Sequence, residues 1–174
     1  MMDEKALVSA LQEATQAVLS TMLGLDVVCG ESYTETNSRG KSDGIIAVVG
    51  LAGEWIGTAS VCCTAAMGCR MSSHMLGTEL TEVDEAVLDA IAEIANMIVG
   101  NFKTSAESHL GPLGLSIPTV IYGLSFSARS PGKEQWIVVP FSCGEDTLRV
   151  KMCLMPNRSL PCLVSLGSVQ MAHQ

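Results

Sequence analysis

Between residues 3 and 22, Leu7, Leu11, Ala14, Ala17, Val18 and Met22 recur at helical spacing, with Glu4, Lys5, Gln12, Glu13 and Gln16 between them. That pattern predicts an amphipathic helix, broken by Gly24. Residues 25–34 carry the β-branched and aromatic side chains of a strand, and the polar stretch 35–43, with Gly40, reads as an exposed loop. Two apolar, β-branched runs, 44–51 and 54–63, are separated by Ala52-Gly53 and predict an antiparallel hairpin. Thr64 is placed to cap a helix through Leu76, which Gly77 ends. A longer helix follows, with Thr81 three residues before Asp84 as a capping-box-like start, reaching to about Glu107. Gly111, Pro112, Gly114 and Pro118 mark irregular backbone before an apolar run over 119–122. Two final strands, 135–142 and 146–155, join across Cys143-Gly144-Glu145 and echo the earlier hairpin.

Helix, strand, hairpin, two helices and further strands is neither regular βαβ alternation nor an all-β pattern. The expected class is α+β, a mostly antiparallel sheet packed on helices, with one long helix exposing a polar face. With 174 residues the chain fits one domain, read here as 1–155, followed by a C-terminal edge strand or tail over 156–174. No apolar run approaches a bilayer-spanning length, and Met1-Met2-Asp3-Glu4-Lys5 does not resemble a signal sequence, so a soluble, cytoplasmic protein is expected.

Charge and cysteine content narrow the chemistry. A formal net charge of −8, with Lys and Arg few and dispersed, argues against nucleic acid as a partner. The seven cysteines, an odd set lying mostly in apolar stretches, read as reduced core residues. No CxxC occurs and His74, His109 and His173 are scattered, so the spacing supports no metal site. The serines and cysteines lack a histidine at recognisable spacing, which leaves no evident activated nucleophile.

The long helix is more informative. Val87, Leu88, Ile91, Ile94, Ala95, Ile98 and Phe102 fall on one side, and Asp89, Glu93, Asn96, Gly100 and Lys103 fall opposite as a row at i, i+4, i+7, i+11 and i+14. A solvated face explains most such rows. Here, however, Asn is a mediocre helix former and Gly100 costs about 1 kcal/mol against Ala in a helix interior. Both lie where packing does not demand them. A small residue beside an amide and a carboxylate describes a docking site for another macromolecule, and Asn can orient a water that it is too weak to deprotonate. Asn101 falls nearer the core edge, where a capping or packing hydrogen bond is expected.

The run Glu93-Ile94-Ala95-Asn96, followed by Gly100 and Asn101 and, beyond the loop, by Pro118, resembles the Glu-x-x-Asn…Pro signature of the CheC/CheX/FliY chemotaxis phosphatases. A single such helix is evident, so the resemblance is to the CheX-like branch, and its element order extends over most of residues 1–155. It implies a hydrolase of two-component signalling that dephosphorylates the aspartyl phosphate of a CheY-like response regulator. Asn96 would orient the attacking water and Glu93 would pair with the receiver's active-site lysine. No cofactor of its own is implied, since Mg²⁺ is expected in the partner receiver domain. The resemblance also implies a homodimer joined through edge strands, without indicating which strand.

Two other readings compete. One is a non-catalytic adaptor that binds a receiver or a flagellar-switch component. The other is a small-molecule binder using Gly111-Pro112-Leu113-Gly114 as a pocket lip, although that segment lacks the strand-glycine-helix context of a phosphate loop. Lys103 and Asp89 are rim candidates, and His109 is expected to complement the helix C-terminus.

Overall fold

A computed structural model describes residues 3–36, 42–126 and 135–158. Asp3 accepts the Ala6 N–H at 2.7 Å and starts helix α1 (Glu4–Gln16). The next six residues, Ala17–Met22, continue it in π-helical form, so the first helix covers its expected span but widens at its end. Its stripe of Leu11, Ala14, Val18 and Leu19 is buried.

Residues 25–34 were expected as one strand but form β1 (Val28–Cys29) and the start of β2 (Tyr33–Thr36). Both pair antiparallel with β7 (Gln135–Cys143). Cys29 faces Phe141 and Tyr33 faces Val138, so three residues oppose two between them, a bulge. Its position follows from Pro140, which has no N–H to give the ladder and only accepts from Gly30, at 2.9 Å.

Strands β3 (Ser42–Gly53) and β4 (Trp55–Cys63) form the expected antiparallel hairpin, but its turn is at Glu54 rather than Ala52-Gly53, which extend β3 and face Gly114 and Leu113. Helix α2 (Ala65–Leu76) is capped by the Thr64 hydroxyl and ends at Gly77, whose φ of 65° is left-handed. Helix α3 (Glu85–Leu110) starts later than expected. Its cap is Asp84, whose carboxylate accepts the Val87 N–H at 2.9 Å, rather than Thr81. Gly111 then turns the chain at φ 74°.

The segment 111–114, read as a possible pocket lip, instead leads into a short strand, β5 (Leu113–Leu115), on the edge of β3. Strand β6 (Thr119–Phe126) pairs with the other half of β3. The chain closes with β7 and β8 (Asp146–Pro156), joined through Gly144 at φ 63°. The proposed edge strand near 163–166 lies outside the described residues.

All pairings among the described strands are antiparallel, in the order β1-β7-β8-β4-β3-β5, with β2 beside β7 and β6 beside β3. The two hairpins therefore meet at the centre through β4 and β8, nine residue pairs from Trp55↔Pro156 to Cys63↔Leu148. One sheet face, with Ile45, Ala47, Val49, Val61, Phe141 and Val150, joins the helices in a single apolar core. On the other face Lys151, with 10% of its side chain exposed, makes an ion pair with Glu35. Cys62, Cys63, Cys69, Cys143 and Cys153 are buried. No helix among the described residues is long and apolar enough to cross a membrane.

Candidate functional site

Helix α3 carries the site because its opposite side is committed to the core. Val87, Ile91, Ile94, Ala95, Ile98 and Phe102 are fully buried, and the helix packs on α1, α2 and the sheet. That buried stripe fixes the rotation of the helix, so the residues between its apolar positions must face outward. Its two ends are also held. Asp84 caps the start, and at the other end the Glu107 carboxylate accepts the Leu113 N–H at 3.1 Å and pairs with Lys103 at 3.5 Å.

Asp89 and Glu93 are exposed, whereas Asn96, Gly100 and Lys103 are half-buried along the same row. The side chains of Glu93 and Asn96 have no hydrogen-bond or ion-pair partner among the described residues. Helical geometry puts them about one turn apart, with a free carboxylate and a free amide on one rigid surface. Half-burial restricts the rotamers of Asn96 while leaving its donor and acceptor unspent. A water or a partner's polar group is the natural complement.

The rim residues differ from one another. Lys103 is engaged within its own helix by Glu107, and Asp89 stands in solvent. Asn101 is exposed and not at the core edge as expected, and its side chain makes no capping bond among the described residues. The reason is geometric: Phe102 occupies the core-facing direction at that level of the helix and turns its neighbour outward. His109 sits in the last turn, with Nδ1 at 2.9 Å from the Ser108 hydroxyl.

Pro118 lies half-buried between β5 and β6. Its loop is fixed by Ser116, whose hydroxyl accepts the Gly50 N–H at 2.8 Å and donates to the Ile117 carbonyl at 3.0 Å, while its own N–H donates to Gly50. Ile117 is 89% exposed immediately before the proline. Sequence reasoning missed this residue, although an isolated Ile in a Gly/Pro-rich loop was a readable signal.

Thiol chemistry is disfavoured. Burial pushes the Cys63 thiol up to about 12 and raises Cys62 and Cys69 as well, which suppresses the nucleophilic thiolate at neutral pH. What Glu93 and Asn96 offer is orientation and charge, since neither a carboxylate nor an amide of this kind is a thiol or hydroxyl nucleophile.

Known proteins share this arrangement of elements. The family model described as chemotaxis phosphatase CheX matches residues 45–142, which include the whole of α3. The CheY-P phosphatase CheX of Thermotoga maritima is 27% identical over 128 residues, covering 72% of this chain and 81% of that protein. Among solved structures, the chemotaxis protein CheX of Desulfovibrio desulfuricans is 29% identical with a TM-score of 0.77, over 86% of this chain and 99% of its own. A chain of the CheX–CheY–BeF3–Mg²⁺ complex of Borrelia burgdorferi superposes with a TM-score of 0.75 at 22% identity, over 88% and 99% of the two chains, and so shares the fold. With more than half of its length matched by that family model, this chain belongs to the CheX family of chemotaxis phosphatases.

Proposed function

We propose that this protein removes the phosphoryl group from a phosphorylated CheY-like response regulator. The single observation that carries the proposal is the unpartnered pair on α3, an exposed Glu93 and a half-buried Asn96, on a helix whose rotation the core fixes. The family and the Thermotoga relative, itself a CheY-P phosphatase, support the same reading.

The receiver brings the aspartyl phosphate and an Mg²⁺ ion, whose charge offsets that of the phosphoryl oxygens. Asn96 enters the receiver's site and holds a water in line with the phosphorus through its side-chain amide. The water oxygen bonds to phosphorus as the bond to the aspartyl oxygen breaks, and the water proton leaves with the inorganic phosphate or to solvent. Glu93 pairs with the receiver's lysine and fixes the depth and angle of docking. Neither side chain is modified, and the gain in rate comes from orientation.

Phosphate release from a phospho-receiver tests this directly. Asn96→Ala is expected to lower stimulated release by about a hundredfold or more. Glu93→Ala should chiefly raise KM. Both variants should keep the circular-dichroism spectrum, since neither side chain reaches the core. A wild-type protein that binds the receiver but leaves its dephosphorylation rate unchanged would instead be an adaptor.

The functional unit is proposed to be a homodimer joined through β6. That strand pairs with β3 on one side, and no described strand covers the other. It presents Ile121, Tyr122 and Leu124, the last 81% exposed. An open apolar edge of this kind suits antiparallel pairing with its own copy.

A further inference from the structure

We infer that Gly100 is a clearance residue of the docking surface, its missing side chain leaving room for the partner's main chain and keeping the Asn96 amide uncovered. This rests on the phosphatase reading and goes beyond it by adding a third position that controls access to the pair.

Several other described glycines have reasons internal to the fold. Gly24, Gly77, Gly111 and Gly144 hold left-handed backbone, where a side chain is strained. At Gly53, Gly57 and Gly68 an added Cβ would stand 2.2 Å from the Pro112 carbonyl oxygen, 2.0 Å from that of Cys153 and 2.5 Å from the Ile45 side chain. Gly100 has neither reason. It sits inside α3 with ordinary helical backbone, and a Cβ built there meets nothing within 4 Å. Glycine is a poor choice in a helix interior, so its presence lowers helix stability without any packing return among the described residues.

The direction of a side chain at this position explains the choice. Helical side chains tilt toward the N-terminus, so one at position 100 would lean over the turn that carries Asn96 and Met97. It would shield the amide and hold the approaching surface away from the helix. The position lies within the unbroken helix Glu85–Leu110, where the Thr104 hydroxyl donates to the Gly100 carbonyl at 3.0 Å. Space is therefore provided on an ordered helix turn.

Gly100→Ala and Gly100→Gln separate the two consequences. Both substitutions favour the helix, so both variants should melt at higher temperature than the wild type. In steady-state phosphate release from a CheY-like receiver phosphorylated by a small phosphodonor, KM should rise in proportion to side-chain size. The Gln variant should lose at least about tenfold, with kcat less affected. Asn96→Ala should show the opposite split, with kcat lost and KM nearly kept. A merely structural glycine would lose melting temperature on substitution by Ala, which would overturn the inference. So would an active wild type alongside a Gln variant of unchanged KM. A wild type that fails to accelerate release overturns the phosphatase reading itself and the inference with it. If Gln impairs folding, the Ala variant carries the same test, since its methyl group occupies open space.

Discussion

Glu107 shows how one carboxylate serves two elements. It accepts the Leu113 N–H and pairs with Lys103, tying the end of α3 to the start of β5. The Leu113 backbone bond, more than the nearby Lys103 charge, holds this carboxyl below the ordinary glutamate range. A carboxylate whose pKa is depressed on folding contributes stability that is present above the unfolded value and lost as pH falls through the folded one. The Glu107 resonance should therefore titrate below that of a free glutamate. Glu107→Gln should remove that part of the acid-side loss of stability, and a carboxyl titrating at or above the ordinary value would refute the assignment. At the same scale, the pairing of Lys103 with Glu107 explains why Asn96 and Glu93, rather than the lysine, are left free for a partner.

Among the elements, the ion pair between Lys151 of β8 and Glu35 of β2 tests the sheet face away from the helices. Lys151 is nearly buried, so Glu35→Ala strands a desolvated ammonium and should cost about 3 kcal/mol in chemical denaturation. Lys151→Met, which removes the charge and keeps the stem, should cost clearly less. Equal losses from the two would contradict the burial of the lysine. This pair was not readable from the sequence, because Glu35 lies in a polar stretch that reads as loop and its partner stands far along the chain. The hairpins and α3 were readable, because alternation and the helical stripe of Val87, Ile91, Ile94 and Ile98 are local signals. The split between β1 and β2 was not, because Pro140 on the facing strand sets it. Strand β5 was hidden by Gly111, Pro112 and Gly114, and β3 is what makes it a strand. The row of Asp89, Glu93, Asn96, Gly100 and Lys103 could be read because its spacing follows from the stripe behind it. The resemblance singled out Glu93 and Asn96 within it, and the half-burial of Asn96 depends on neighbours that the helical pattern does not show.

For the molecule as a whole, the open edge at β6 sets the expected assembly. Sedimentation should show a dimer for the wild type, and Leu124→Lys should shift it to monomer by placing a charge at the pairing edge while leaving α3 intact. A wild type that sediments as a monomer at micromolar concentration would remove β6 from this role. The centre of the sheet carries a different consequence. The β4–β8 seam joins partners about half the chain apart, so its loop-closure cost comes late in folding. During synthesis the first hairpin and α3 are complete well before β8 emerges. Until then the whole length of β4, with Val61 and Cys63, presents an unpaired edge at what becomes the middle of the sheet. The nascent protein thus passes through a stage with an aggregation-prone strand exposed, and its yield in a cell depends on how quickly the last hairpin arrives to cover it.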